Sequence, residues 1–133
     1  GIEITAVSRW YESAPVPLSG QPWYLNAVAS GKTGGTAYET LAALHQAEAQ
    51  FGRVRGVRNA ARVLDLDLLD FAGQVIRSDS LILPHPRMDK RAFVLLPLRE
   101  LAPDWRHPAR GLGIDALVAK IPVSQEIRLA ESV

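Results

Sequence analysis

The residues best equipped for chemistry lie between Gly52 and Leu69, in the stretch GRVRGVRNAARVLDLDLL. Four arginines, Arg53, Arg55, Arg58 and Arg62, precede two aspartates, Asp65 and Asp67, which alternate with Leu64, Leu66 and Leu68. Such alternation is a strand pattern, in which residues i and i+2 share a face. Both carboxylates then point one way, roughly 7 Å apart along the strand, and the leucines point into a core. Neighbouring carboxylates repel unless a cation sits between them. Magnesium is a hard cation, usually held by one or two carboxylates together with substrate phosphates. Guanidinium forks pair bidentately with phosphate oxygens. An acid pair beside an arginine cluster therefore points to a metal–polyphosphate site, most simply ATP with magnesium. Charge runs are usually solvated loops, and a lone D-x-D is usually the wet face of a sheet. Here the two adjoin, and lysine is absent from the arginine run.

Several elements must position these groups. Residues 2–12 and 23–30 are expected to be strands, separated by a loop broken by Pro15, Pro17, Gly20 and Pro22. Tyr24 and Asn26 share strand parity, with Leu25 facing a core. Asn26 offers both a donor and an acceptor. Gly31 to Gly35 is expected to turn. Thr36 with Glu39 has the form of a capping box, and Ala37, Leu41, Leu44, Ala47 and Phe51 recur at helical spacing, so the helix is expected over 37–51, ended by Gly52. The acidic strand is expected over 63–71 and a short strand at 74–76; Asp70 has the opposite parity to the acid pair. Pro84 and Pro86 make 83–87 an extended loop. Asp89 can cap a helix that Pro97 should end or kink near Leu96. A loop over 105–113, a helix over 114–121 and a polar tail complete the chain. The three tryptophans give no ligand signal, and packing is the expectation for each.

The arginine–aspartate stretch resembles the signature of the 6-hydroxymethyl-7,8-dihydropterin pyrophosphokinase family. Tyr11-Glu12-Ser13-Ala14-Pro15 and Gln21-Pro22-Trp23-Tyr24-Leu25-Asn26-Ala27 are similar to its pterin-side segments. Leu83-Pro84-His85-Pro86-Arg87-Met88, then Arg91-Ala92-Phe93-Val94-Leu95 and Pro97-Leu98, are similar to its downstream block. The segments keep the family's order and spacing over residues 8–103. Each is weak alone, and together they are specific.

The resemblance implies a fold and a set of roles. The fold is α/β in the α+β sense: a ferredoxin-like antiparallel sheet with flanking helices. The reaction is transfer of diphosphate from ATP to the reduced pterin, with two magnesium ions on Asp65 and Asp67. Arg53 and Arg62 would touch the phosphates or the reaction centre, and Arg55 and Arg58 would sit on a loop closing over ATP. His45, Glu48, His85 and Arg91 would contact ATP. Ser13, Ala14, Pro15, Val16, Tyr24, Asn26 and Phe93 would contact the pterin.

Two departures stand out. Many family members have Trp-Gly-Pro where this chain has Asn59-Ala60-Ala61. The family's opening strand and helix have no counterpart here, so the complete protein is expected to contain them, with a gap, or a strand from elsewhere, beside residues 63–71.

Bulk properties bound the alternatives. One domain of 133 residues can bury a core, and a net charge of +1 gives no general affinity for nucleic acid. Cysteine is absent, which excludes disulfides and zinc–thiolate sites and suits a cytoplasmic protein. No apolar run approaches the ~20 residues of a membrane span. The complete protein is expected to be a monomer, binding neither membrane nor nucleic acid. One rival is a non-catalytic remnant that keeps nucleotide binding. Another, a ferredoxin-like RNA-binding module, would need exposed sheet aromatics and is opposed by the acidic strand.

Overall fold

The structure, a computed structural model, describes residues 1–14, 23–55 and 64–130, the side chains of 52–55 excepted. It is α+β with antiparallel pairing. Strands β1 (Ile2–Val7) and β4 (Ala29–Thr33) form one ladder. Strand β2 (Tyr11–Ser13) lies between β3 (Tyr24–Asn26) and β7 (Ile127–Leu129) in a second. Strands β5 (Ile76–Arg77) and β6 (Ile82–Leu83) make a third. Among the described residues these ladders do not join into one sheet.

The strands expected over 2–12 and 23–30 are each two short ones. The chain turns between β1 and β2, where Ser8 is buried and its hydroxyl accepts the Val28 N–H at 3.0 Å. It turns again between β3 and β4, and β4 continues through the expected turn to Thr33. Leu25 is not in a core: it is 53% exposed. The expected polar tail is also corrected, because its residues 127–129 supply the strand beside β2. Arg128 there lies 3.9 Å from the centre of the Trp23 ring.

Helix α1 (Ala37–Arg55) starts as the capping box requires. The Thr36 N–H donates to Glu39 Oε1 at 2.7 Å, and the Glu39 N–H to Thr36 Oγ1 at 3.1 Å. It runs through Gly52, whose cost of about 1 kcal/mol in a helix is too small to stop it. Its inner face is Ala37, Thr40, Leu41, Leu44 and Glu48, while Ala47 and Phe51 face solvent. An acid therefore occupies a position where the hydrophobic stripe would put an apolar residue.

Ala37 packs with Leu81 and Leu83 of the β5–β6 region, joined by Leu41, Leu68, Phe71 and Ile76. This cluster draws residues 64–70 against the helix. The segment keeps its alternation, with Leu64, Leu66 and Leu68 half-buried and Asp65 and Asp67 exposed. It forms no ladder with any described strand, which corrects the expected acidic strand. Its backbone is tied otherwise: the His85 N–H donates to the Leu69 carbonyl at 2.9 Å, and the Leu66 N–H to Glu48 Oε2 at 2.7 Å.

A 3-10 turn (Met88–Lys90) leads into α2 (Ala92–Leu101). Asp89 does not cap that helix; it pairs with Arg110. Pro97 does not end the helix either, although it removes one backbone bond at a cost of ~3 kcal/mol. Leu95 packs on Ile114 and Leu117 of α3 (Ile114–Ala119), with Leu98 and Trp105 alongside. Burying several such side chains, at about 1.5–3 kcal/mol each, outweighs the proline. The loop before α3 is held by His107, whose Nδ1 accepts the Ala109 and Arg110 N–H groups at 3.2 and 3.0 Å. Burial lowers the His107 pKa, so the ring is neutral at physiological pH with its proton on Nε2.

Candidate active site

The acid pair is presented by contrast of burial. Leu68 anchors one end of the segment in the α1 cluster, and the aspartates on the other face reach solvent. Between them the Leu66 amide is held by Glu48 from the inner face of α1. Glu48 is thus tied directly to the backbone that carries both aspartates. Its expected role was contact with ATP; its observed bond is to this backbone.

Removing that acceptor leaves the Leu66 N–H without its partner, at about 1–3 kcal/mol for a buried donor. Glu48→Ala is expected to weaken the apparent magnesium affinity about tenfold, the size of effect seen when groups supporting a metal ligand are lost. Glu48→Gln keeps an acceptor oxygen and should change it little. Turnover titrated against magnesium measures both. Identical magnesium dependence in wild type and Glu48→Ala would remove the tether from the site.

His85 follows on the next element. Its backbone N–H bonds the Leu69 carbonyl, and its Nδ1 accepts the Arg87 N–H at 3.2 Å. The neutral ring therefore carries its proton on Nε2. Burial lowers the ring's pKa; the Asp67 carboxylate opposes this, and Arg91 and Arg87 add to it. Asp67, Arg87 and Arg91 thus each lie within electrostatic reach of His85. An anion arriving here would meet two guanidinium groups and an imidazole N–H. Arg87 was not singled out in sequence, although it is a further cation in the run His85-Pro86-Arg87. The Arg91 guanidinium lies 5.3 Å from the centre of the Phe93 ring, within cation–π range.

Four of the expected pterin residues, Ser13, Ala14, Tyr24 and Asn26, lie on or beside the β2–β3 ladder. Asn26 Nδ2 donates to Ser13 Oγ at 2.8 Å across the β2–β3 ladder, so these two are together. Ser13 is buried and Asn26 half-buried, while Tyr24 faces solvent. The Ala14 N–H donates to the Glu126 carbonyl at 3.1 Å. Strand β2 is tied to α2 through Glu100, which accepts from the Tyr11 hydroxyl at 2.9 Å and the Arg9 N–H at 2.8 Å. Its carboxyl is held below its ordinary pKa, chiefly by that backbone N–H.

The remaining expectations are less exposed to view. His45 is exposed on α1, one turn before Glu48. Arg53 and Arg55 lie in the last turn of α1, their side chains beyond the description. Arg58, Arg62, Pro15 and Val16 lie outside the described residues. Asp70, kept apart from the acid pair by parity, has a buried Oδ1 without a hydrogen-bond partner among the described residues.

The donor set fits magnesium shared with a phosphate. Asp65 and Asp67 would supply hard oxygen ligands. Among the described residues no group of three or more His, Cys, Asp or Glu side chains is placed to hold a metal alone. Two carboxylates leave coordination positions that phosphate oxygens and water would complete.

The family model of 7,8-dihydro-6-hydroxymethylpterin-pyrophosphokinase matches residues 1–103. The chain belongs to this family. It is 42% identical over 119 residues to the 2-amino-4-hydroxy-6-hydroxymethyldihydropteridine pyrophosphokinase of Pseudomonas aeruginosa, covering 90% of this chain and 73% of that protein. The Synechocystis protein of the same name is 37% identical over 121 residues, 91% of this chain and 62% of that protein. The folic acid synthesis protein fol1 of Pneumocystis carinii is 38% identical over 121 residues, 91% of this chain and 16% of that protein. The chain thus spans less than two thirds of the length of the last two relatives. No helix among the described residues is long and apolar enough to cross a membrane.

Proposed function

We propose that this chain carries the ATP-binding and catalytic residues of a pyrophosphokinase that makes 6-hydroxymethyl-7,8-dihydropterin diphosphate for folate synthesis. The observation that supports it most is the exposed pair Asp65 and Asp67, tethered by Glu48 beside His85, Arg87 and Arg91. Family membership points the same way.

In this reading the hydroxymethyl oxygen of the pterin attacks the β-phosphorus of ATP. The bond from that phosphorus to the α,β-bridging oxygen breaks, and AMP leaves with the electron pair. The hydroxyl proton is lost to solvent or a phosphate oxygen. Two magnesium ions, when bound by Asp65 and Asp67, would neutralise phosphate charge. The chain's own residues position and stabilise, which is most of what catalyses phosphoryl transfer. Arg53 and Arg62 pair with charge that develops on the phosphates, and Arg55 and Arg58 cover the nucleotide. His85 donates through Nε2–H, and Arg87 and Arg91 add positive charge. His45 contributes a polar contact at the rim. Ser13, Ala14, Pro15, Val16, Tyr24, Asn26 and Phe93 receive the pterin, with Asn26 held in place by Ser13. The reading carries with it a monomer acting in the cytoplasm.

The test is product analysis. The protein is incubated with ATP, magnesium and the pterin, and nucleotides are separated chromatographically. AMP formed only when all three are present is expected. Release of ADP instead would overturn the reaction type. Nucleotide binding without AMP would select the non-catalytic remnant.

A further inference from the structure

Gln125 lies beyond the residues 1–103 that carry the family match, in the stretch between α3 and β7. Its side-chain amide makes two hydrogen bonds to the backbone on either side of Arg91. Oε1 accepts the Ala92 N–H at 2.8 Å, and Nε2 donates to the Lys90 carbonyl at 2.8 Å. Ala92 begins α2, and its N–H has no partner within the helix. Arg91, the residue at the cap position, supplies no side-chain bond of its own. Gln125 fills that role from far along the chain, and a primary amide can hold a donor and an acceptor at once. The next residues continue the contact elsewhere: the Glu126 carbonyl accepts the Ala14 N–H, and Ile127 faces Ser13 in the ladder.

We propose that Gln125 is a positioning residue for the phosphate-facing cation Arg91, and that the arm 125–127 couples Arg91 to the Ser13–Ala14 backbone. With both flanking peptides pinned, the backbone at Arg91 loses its freedom to rotate, and the direction in which its side chain leaves is fixed. The guanidinium over Phe93 is then pre-aimed and is not ordered at the moment of binding. The proposal rests on the reading of Arg91 as a nucleotide contact.

The experiment measures binding of α,β-methylene ATP with magnesium by calorimetry, together with the melting temperature of each variant. Gln125→Met keeps the volume and removes both hydrogen bonds; Gln125→Ala removes the side chain. Each is expected to weaken binding about tenfold, in the range of coupling between neighbouring residues. In an Arg91→Ala background, Gln125→Met should have no further effect. Wild-type affinity in Arg91→Ala would remove the reading of Arg91 and the proposal with it. Weakened binding in Arg91→Ala with wild-type affinity in Gln125→Met would overturn the proposal alone. Additive losses in the double variant would do the same, because they would mark a role in stability only.

Discussion

Asp65→Ala and Asp67→Ala should each abolish magnesium-dependent AMP formation while leaving the melting curve almost unmoved. Both side chains are exposed, and the burial that holds the segment comes from Leu64, Leu66 and Leu68. Exposed substitutions of this kind change stability by about 0.5 kcal/mol or less. The catalytic loss is of another size. Charge stabilisation by a bound metal amounts to several kcal/mol, and each 1.36 kcal/mol is a factor of ten, so turnover should fall about a thousandfold or more. Activity and thermal melting measured on the same preparation separate the two effects. Turnover at the wild-type level in both variants would sink the metal assignment.

Arg62→Ala should lower turnover by about a thousandfold, the scale of a transition-state arginine, and change nucleotide affinity far less. The residue lies outside the described residues, and its distance from the acid pair is bounded by the length of chain between them. It stands three positions before Asp65, and a chain of that length spans about 10 Å at most. That tether would let its guanidinium reach the same phosphates. Arg58→Ala, further in sequence from the acid pair, should be milder. Steady-state kinetics with ATP as the varied substrate, alongside direct binding, give the comparison. Small and equal effects from both variants would mean that the arginine run is only a solvated loop.

The acid pair and its arginines stood out in the sequence by residue type and spacing, whereas the roles expected of His85 and Arg91 came only from the family resemblance. The alternation over 64–68 was legible as a pattern of burial, and that part survives in the structure. The ladder it implied does not, because alternation records which face is buried and says nothing of what lies at the edges. Glu48 illustrates a different limit. A glutamate on a helix looks solvent-facing by default, and only the folded chain brings the Leu66 amide to it. Leu25 and Phe51 misled in the opposite direction, since period places a residue on a face without saying that the face is covered. Pro97 was expected to end or kink the helix because local backbone cost is visible in sequence, and the tertiary burial that keeps the helix going past it is not. Gln125 was invisible for the plainest reason: its partners, Lys90 and Ala92, are remote in the chain and are backbone groups.

The β2–β7 ladder also sets an order on assembly. It joins Tyr11–Ser13 to Ile127–Leu129 through three residue pairs, with more than a hundred residues between the partners. Closing so long a loop costs entropy before so few contacts can repay it. Helix α1 and the β5–β6 hairpin, whose contacts are local, can form first. The segment that ties Ser13 and Ala14 to the backbone around Arg91 is therefore among the last parts of this chain to settle, and the pterin-side strand acquires its second neighbour only after most of the chain has folded.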